Sequence, residues 1–125
     1  MPMIGYVTIG TDDMERAKTF YAELLADMGA KVLMDIGRIA FIGKSMDEPM
    51  LAVCIPYDEE PQHPGNGNMF AVHPGSKEAV DKLYHKAIEL GATCDGEPGQ
   101  RIPDMFYGAY VRDADGNKLA FYEFG

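Results

Sequence analysis

The sequence has no tryptophan, and only two cysteines and three histidines among its 125 residues. Cys54 and Cys94 form no CxxC pair, and His63, His73 and His85 are scattered, so no zinc-type spacing exists. Long apolar runs are also missing. The longest uncharged one, residues 50–57, falls far short of the roughly 20 residues a membrane-spanning helix needs. No Lys or Arg occurs in residues 1–10, so no secretory signal is expected. Reduced thiols and a cytoplasmic location are the matching expectations.

Positive charge is scarce: 11 basic residues stand against 20 acidic ones, a net charge of −9. Such a field repels phosphate backbones unless a local basic patch offsets it. The densest basic stretch, Lys77, Lys82 and Lys86, is interleaved with Glu78, Asp81 and Glu89, which describes a solvated helix face. No nucleic-acid or membrane partner is expected, and a neutral or cationic ligand is favoured over an anionic one. Apolar residues at 46% and charged residues at 25% describe an ordinary globular chain, read as a single domain over residues 1–125.

Apolar periodicity organises that domain. Residues 3–10 read as a strand with Ile4, Tyr6 and Thr8 on one face and Val7 and Ile9 on the other, which implies cover on both sides. Thr11 and Asp12 are candidate helix caps, with Glu15 in capping-box register. Met14, Ala17, Tyr21, Leu24, Leu25 and Met28 then form a helical stripe that Gly29 ends. Strands follow at 31–34, 38–42 and 49–55. Residues 58–67 hold prolines, glycines and acids and read as a linker. A strand at 69–72 precedes a helix capped by Ser76, with Ala79, Val80, Leu83, Ala87 and Leu90 on its stripe and Gly91 closing it. Strands at 93–95, 106–112 and 118–124 complete the chain, the last two joined by a turn at 113–116.

The order is an internal repeat. Tyr6 and Met69 stand 63 positions apart, Asp12 and Ser76 64, and Gly29 and Gly91 62, while residues 50–53 echo 118–121. This predicts an α+β fold of two tandem βαβββ modules, about 1–57 and 68–125, whose curled sheets form a cleft.

Two segments carry a family resemblance: IGYVTIGTDDMERAKTFYAELL at residues 4–25 and YGAYVRDADGNKLAFYE at 107–123. They resemble the opening strand and FY-containing helix, and the RDPDGN hairpin, of the vicinal oxygen chelate superfamily, the glyoxalase and bleomycin-resistance group. Ala114 stands where that hairpin usually has Pro. The superfamily's metal enzymes hold a divalent ion with a His or Gln on each module's first strand and a Glu on each last strand. The matching positions here are Tyr6, Met69 and Ala120, with Ala52 as the partner of Ala120 by the repeat. Phenol, thioether and methyl groups are poor or impossible ligands for a hard ion, so no cofactor is expected.

The resemblance therefore implies a metal-independent small-molecule-binding protein of the bleomycin-resistance type, acting as a homodimer. Tyr6, Thr8, Ala52, Met69, Tyr107, Tyr110, Ala120 and Tyr122 are the candidate ligand-binding residues. Tyr107 and Tyr110 cannot both share one strand face. The rival is a glyoxalase-like metal-dependent lyase, isomerase or dioxygenase with a divergent site, for which His63, His73 and Glu123 are the spare ligands. A metal-free isomerase or epimerase using Tyr or His is a third reading.

The remaining motifs have plainer readings. His63 and His85 are expected to be exposed, and Arg38 and Arg112 to make surface pairs. Residues 113–117 lack the Gly and Glu spacing of a calcium loop and read as a hairpin turn. Cys54 is expected to be a buried, inert strand cysteine. Residues 65–68 precede no helix and so form no phosphate cradle.

Overall fold

A computed structural model describes residues 2–125. The elements run β1 (Tyr6–Gly10), α1 (Met14–Leu24), a 3-10 turn (Ala26–Met28), β2 (Lys31–Asp35), β3 (Ile39–Gly43) and β4 (Met50–Cys54). Then come β5 (Phe70–Val72), α2 (Lys77–Glu89), β6 (Thr93–Ile102), β7 (Phe106–Arg112) and β8 (Lys118–Phe124). The chain divides into two compact units between His63 and Pro64. Each unit is a βαβββ module with one four-stranded sheet, in the orders β1-β4-β3-β2 and β5-β8-β7-β6. This is the α+β repeat expected from the sequence. No helix among the described residues is long and apolar enough to cross a membrane.

In each module the first strand runs parallel to the last, β1 to β4 and β5 to β8, while the other pairings are antiparallel. A parallel pair needs a crossover, and the helix supplies it. In the first unit Ala17, Tyr21 and Leu24 of α1 are buried together with Ala40, Ile42, Leu51 and Val53 of the sheet. In the second, Val80, Leu83, Tyr84 and Ala87 of α2 are buried, as are Ala109, Val111, Leu119 and Phe121. The stripe read from the sequence omitted Tyr84.

The cap of α1 is Asp13 rather than Asp12: its Oδ1 accepts the Arg16 amide at 3.1 Å, while its own amide donates to Thr11 Oγ1 at 3.0 Å. Asp12 instead accepts the Gln62 amide at 2.9 Å and ties the linker to this corner. Cap-to-cap spacing is then 63 residues, the same as between Tyr6 and Met69. Ser76 caps α2 as expected, accepting from the Ala79 amide at 3.0 Å. Gly29 ends the 3-10 turn at φ 87, a left-handed angle that suits glycine.

Two expectations need correction. β1 is not covered on both sides: it lies at the edge of its sheet, with Tyr6 52% and Val7 46% exposed. Apolar alternation states what a strand tends to bury, not what reaches it. β6 runs ten residues rather than stopping at Asp95. Gly96, Pro98 and Gly99 masked it, and its register against β7 slips three times. Pro98 is tolerated because β6 is an edge strand and needs no second ladder.

The turn between β7 and β8 is a hairpin. Asp113, 8% exposed, accepts the amides of Asp115 and Asn117 at 2.9 Å each and the Asn117 side chain at 3.1 Å. Arg112 closes it by donating to the Gly116 carbonyl at 3.0 Å. Replacing Asp113 with Ala removes the acceptor of three hydrogen bonds, and we expect Asp113→Ala to lower unfolding stability by about 2 kcal/mol in a urea titration.

Candidate functional site

One helix packs on one face of each sheet, and strand parity decides which side chains stand on the opposite face, the open face that this helix does not cover. In the second unit the pairs Phe106↔Phe124, Gly108↔Tyr122 and Tyr110↔Ala120 occupy the face away from α2. Tyr122 is the hub. Its ring stacks on Phe106 (5.7 Å, 6°) and on His73 (5.2 Å, 26°), and meets Phe124 edge-on at 5.0 Å. Beside it, Tyr110 carries Arg101 at 5.4 Å and Lys118 at 5.1 Å over its ring. Ala120 and Gly108 are buried beneath these rings, so the small residues form the floor and the aromatics the relief.

The open face of the first unit is smoother. Tyr6↔Met50, Thr8↔Ala52 and Phe41↔Ala52 place these side chains together, and Phe41, Met50 and Ala52 form an apolar cluster with Leu33 and Ile39. The Tyr6 ring packs edge-on against Phe41 at 5.0 Å and 84°. Such aromatic pairs contribute about 0.5–1.5 kcal/mol beyond area burial, which orients the rings even where they are half-exposed.

The predicted residues separate by unit and by face. Tyr6, Thr8 and Ala52 share the open face of the first sheet; Tyr110, Ala120 and Tyr122 share that of the second. Met69 lies just before β5 and is 48% exposed. Tyr107 stands on the helix side, donating its hydroxyl to Asp81 Oδ1 at 2.6 Å. Phe41, Met50, Phe106, Phe124, Arg101 and Lys118 were missed. Strand alternation from Tyr110 and Tyr122 was signal enough for Phe106 and Phe124. Arg101 had none, since the second half of β6 was unread.

The superfamily's divalent ion finds no fitting donor set. Around Tyr6 the open face offers a phenol, a hydroxyl and the Met50 thioether; around Ala120 it offers the rings described above. His73 Nε2 and Glu123 Oε1, an imidazole and a carboxylate beside Tyr122, lie 2.9 Å apart and pair with each other. Among the described residues no three His, Cys, Asp or Glu side chains cluster. Hard cations need several oxygen or imidazole donors converging on one point, and these residues do not supply them.

The other singled-out groups are placed simply. His63 and His85 are exposed. Arg112 pairs with Asp95 at 3.1 Å, and Arg38 donates to the Ile55 carbonyl and lies over the Tyr57 ring. Cys54 is half-buried, and burial pushes its thiol up despite the opposing charge of Arg38. The Tyr84 phenol is pushed up to about 12, chiefly by its hydrogen bond to Cys94 and then by burial. A phenol raised above its unfolded value contributes stability that is whole below about pH 10 and lost as pH rises through about 12. We expect one tyrosine in an absorbance titration to ionise near pH 12, and Cys94→Ala to lower that midpoint.

A family model described as the Glyoxalase/Bleomycin resistance protein/Dioxygenase superfamily matches residues 3–121. Among solved structures, a glyoxalase/bleomycin resistance protein from Albidiferax ferrireducens T118 superposes with a TM-score of 0.85 at 30% identity, covering 97% of this chain and 98% of that one. A glyoxalase/bleomycin resistance protein/dioxygenase family enzyme from Burkholderia phytofirmans PsJN gives 0.77 at 21% identity, over 94% and 95% of the two chains. Lactoylglutathione lyase from Agrobacterium tumefaciens gives 0.71 at 22%, over 98% and 94%. The last two share the fold alone. No curated protein matches the sequence.

Proposed function

As the chain belongs to the Glyoxalase/Bleomycin resistance protein/Dioxygenase superfamily, we propose that it is a small-molecule-binding protein that holds its ligand without a metal. The observation that carries this reading is the aromatic open face of the second sheet, where Tyr122 is flanked by His73, Phe106 and Phe124. Half-exposed rings of this kind present flat apolar surface with hydroxyl and imidazole edges, which suits a planar organic molecule. The net charge of −9 favours a neutral or cationic one. Tyr6, Thr8, Ala52 and Met69 belong to the same reading as further ligand contacts, and Tyr107 leaves it.

Homodimerisation belongs to this reading as well. β1 presents an unpaired edge with Tyr6 and Val7 exposed, a surface that a second chain covers readily. A cytoplasmic location completes it.

One observation favours a second reading, a metal-dependent lyase or dioxygenase: the His73···Glu123 pair sits beside the aromatic face. Elemental mass spectrometry of the dialysed protein separates the two. We expect metal far below one ion per chain; a near-stoichiometric ion that survives dialysis would overturn the binding reading and favour the enzyme.

The aromatic face is tested with thioflavin T, a planar aromatic cation. Tyr122→Leu keeps apolar bulk but removes the stacking ring, and we expect it to weaken dye binding about ten-fold with the melting temperature little changed. Equal affinity in both proteins removes Tyr122 from the site.

A further inference from the structure

The helix side of the second unit has a concavity of its own. Four positions one helical face apart, Asp81, Tyr84, His85 and Ile88 of α2, look across at Glu97 and Pro98 of β6, with Tyr107 of β7 at one end. The space between them is about 450 Å³, within the range of small-molecule sites. It opens where β6 slips its register between Gly96 and Gly99, an irregularity of the kind that re-aims side chains out of a ladder.

We propose that this concavity binds a small organic cation of the alkylammonium class. Two carboxylates, Asp81 and Glu97, and two phenol rings, Tyr84 and Tyr107, face the same space, with Ile88 and Pro98 as its apolar wall. Asp81 accepts the Tyr107 hydroxyl at 2.6 Å, which fixes both groups. Glu97 has no side-chain hydrogen-bond or ion-pair partner among the described residues. The Tyr107 phenol is raised by its bond to Asp81 first, with Arg101 acting the other way, and at Tyr84 Glu97 adds a last contribution after Cys94 and burial.

An anion meets two carboxylates there, and a neutral guest gains nothing from their charge. An alkylammonium gains on both counts: its charge meets the carboxylates and its methyl or methylene groups meet the rings. The Lys77 ammonium lies 5.6 Å from the Tyr107 ring centroid and bonds Gln100, the same cation–ring chemistry within the chain. The site is on the face of the sheet opposite Tyr122, so it stands independently of the function proposed above.

Choline is the probe, and the uncharged alcohol in which carbon replaces its nitrogen is the control. In a two-dimensional amide NMR titration of the whole chain we expect choline to shift residues 81–88 and 97–98 saturably and the alcohol to leave them still. Glu97 is exposed, so Glu97→Gln keeps the fold and is expected to weaken choline about five-fold. Asp81→Asn, checked for an unchanged melting temperature, gives a second and independent loss. An equal response to the alcohol, shifts confined to the open face around Phe106 and Tyr122, or unchanged affinity in both variants would overturn the proposal.

Discussion

Each sheet in this protein joins its first strand in parallel to its last, and that pairing obliges the chain to cross over between them. The crossover is a helix, and a single helix covers one face of a four-stranded sheet. Everything else is arranged around that asymmetry. The helix face collects Leu, Val, Phe and Ala that exclude water almost entirely, while the other face carries a mixture, from buried Phe41, Met50 and Ala120 to half-exposed Tyr6 and exposed Phe124. A strand with apolar residues on both faces, as β1 has, can therefore stay half-exposed on each, as Tyr6 and Val7 do.

The open faces differ in a way that chemistry can use. The first is an aliphatic and aromatic surface whose Tyr6 hydroxyl and Thr8 are its polar accents. The second is a ladder of rings with cations over one of them and an imidazole–carboxylate pair at its end. Where other superfamily members resembled in the sequence hold a metal, this chain has methyl groups at Ala52 and Ala120.

Much of the fold was legible because its signals are local. The α1 and α2 stripes, the Ser76 cap, the glycine after each helix and the Asp113 hairpin all depend on side chains within a few positions of one another. The misplacements share a different cause. Choosing Asp12 over Asp13 required knowing that Asp12 reaches Gln62, fifty residues away. β6 was cut short because Gly96, Pro98 and Gly99 are turn residues by propensity, and only pairing with β7 holds them extended. Tyr84 was left off its stripe because its burial comes from the packing of α2 on its sheet.

For the site, parity along β7 and β8 was enough to separate Tyr110 from Tyr107 and to bring Ala120 and Tyr122 together. By itself the sequence determined the repeat and the two-module α+β fold, because spacing and residue type are properties of the chain alone. Which face of each sheet the helix covers, that Tyr107 bonds Asp81 beneath α2, and that His73 pairs with Glu123 beside Tyr122 were decided only by tertiary structure. Those contacts join residues tens of positions apart, and no local periodicity encodes the distance between two strands that meet only after the chain has crossed over and returned.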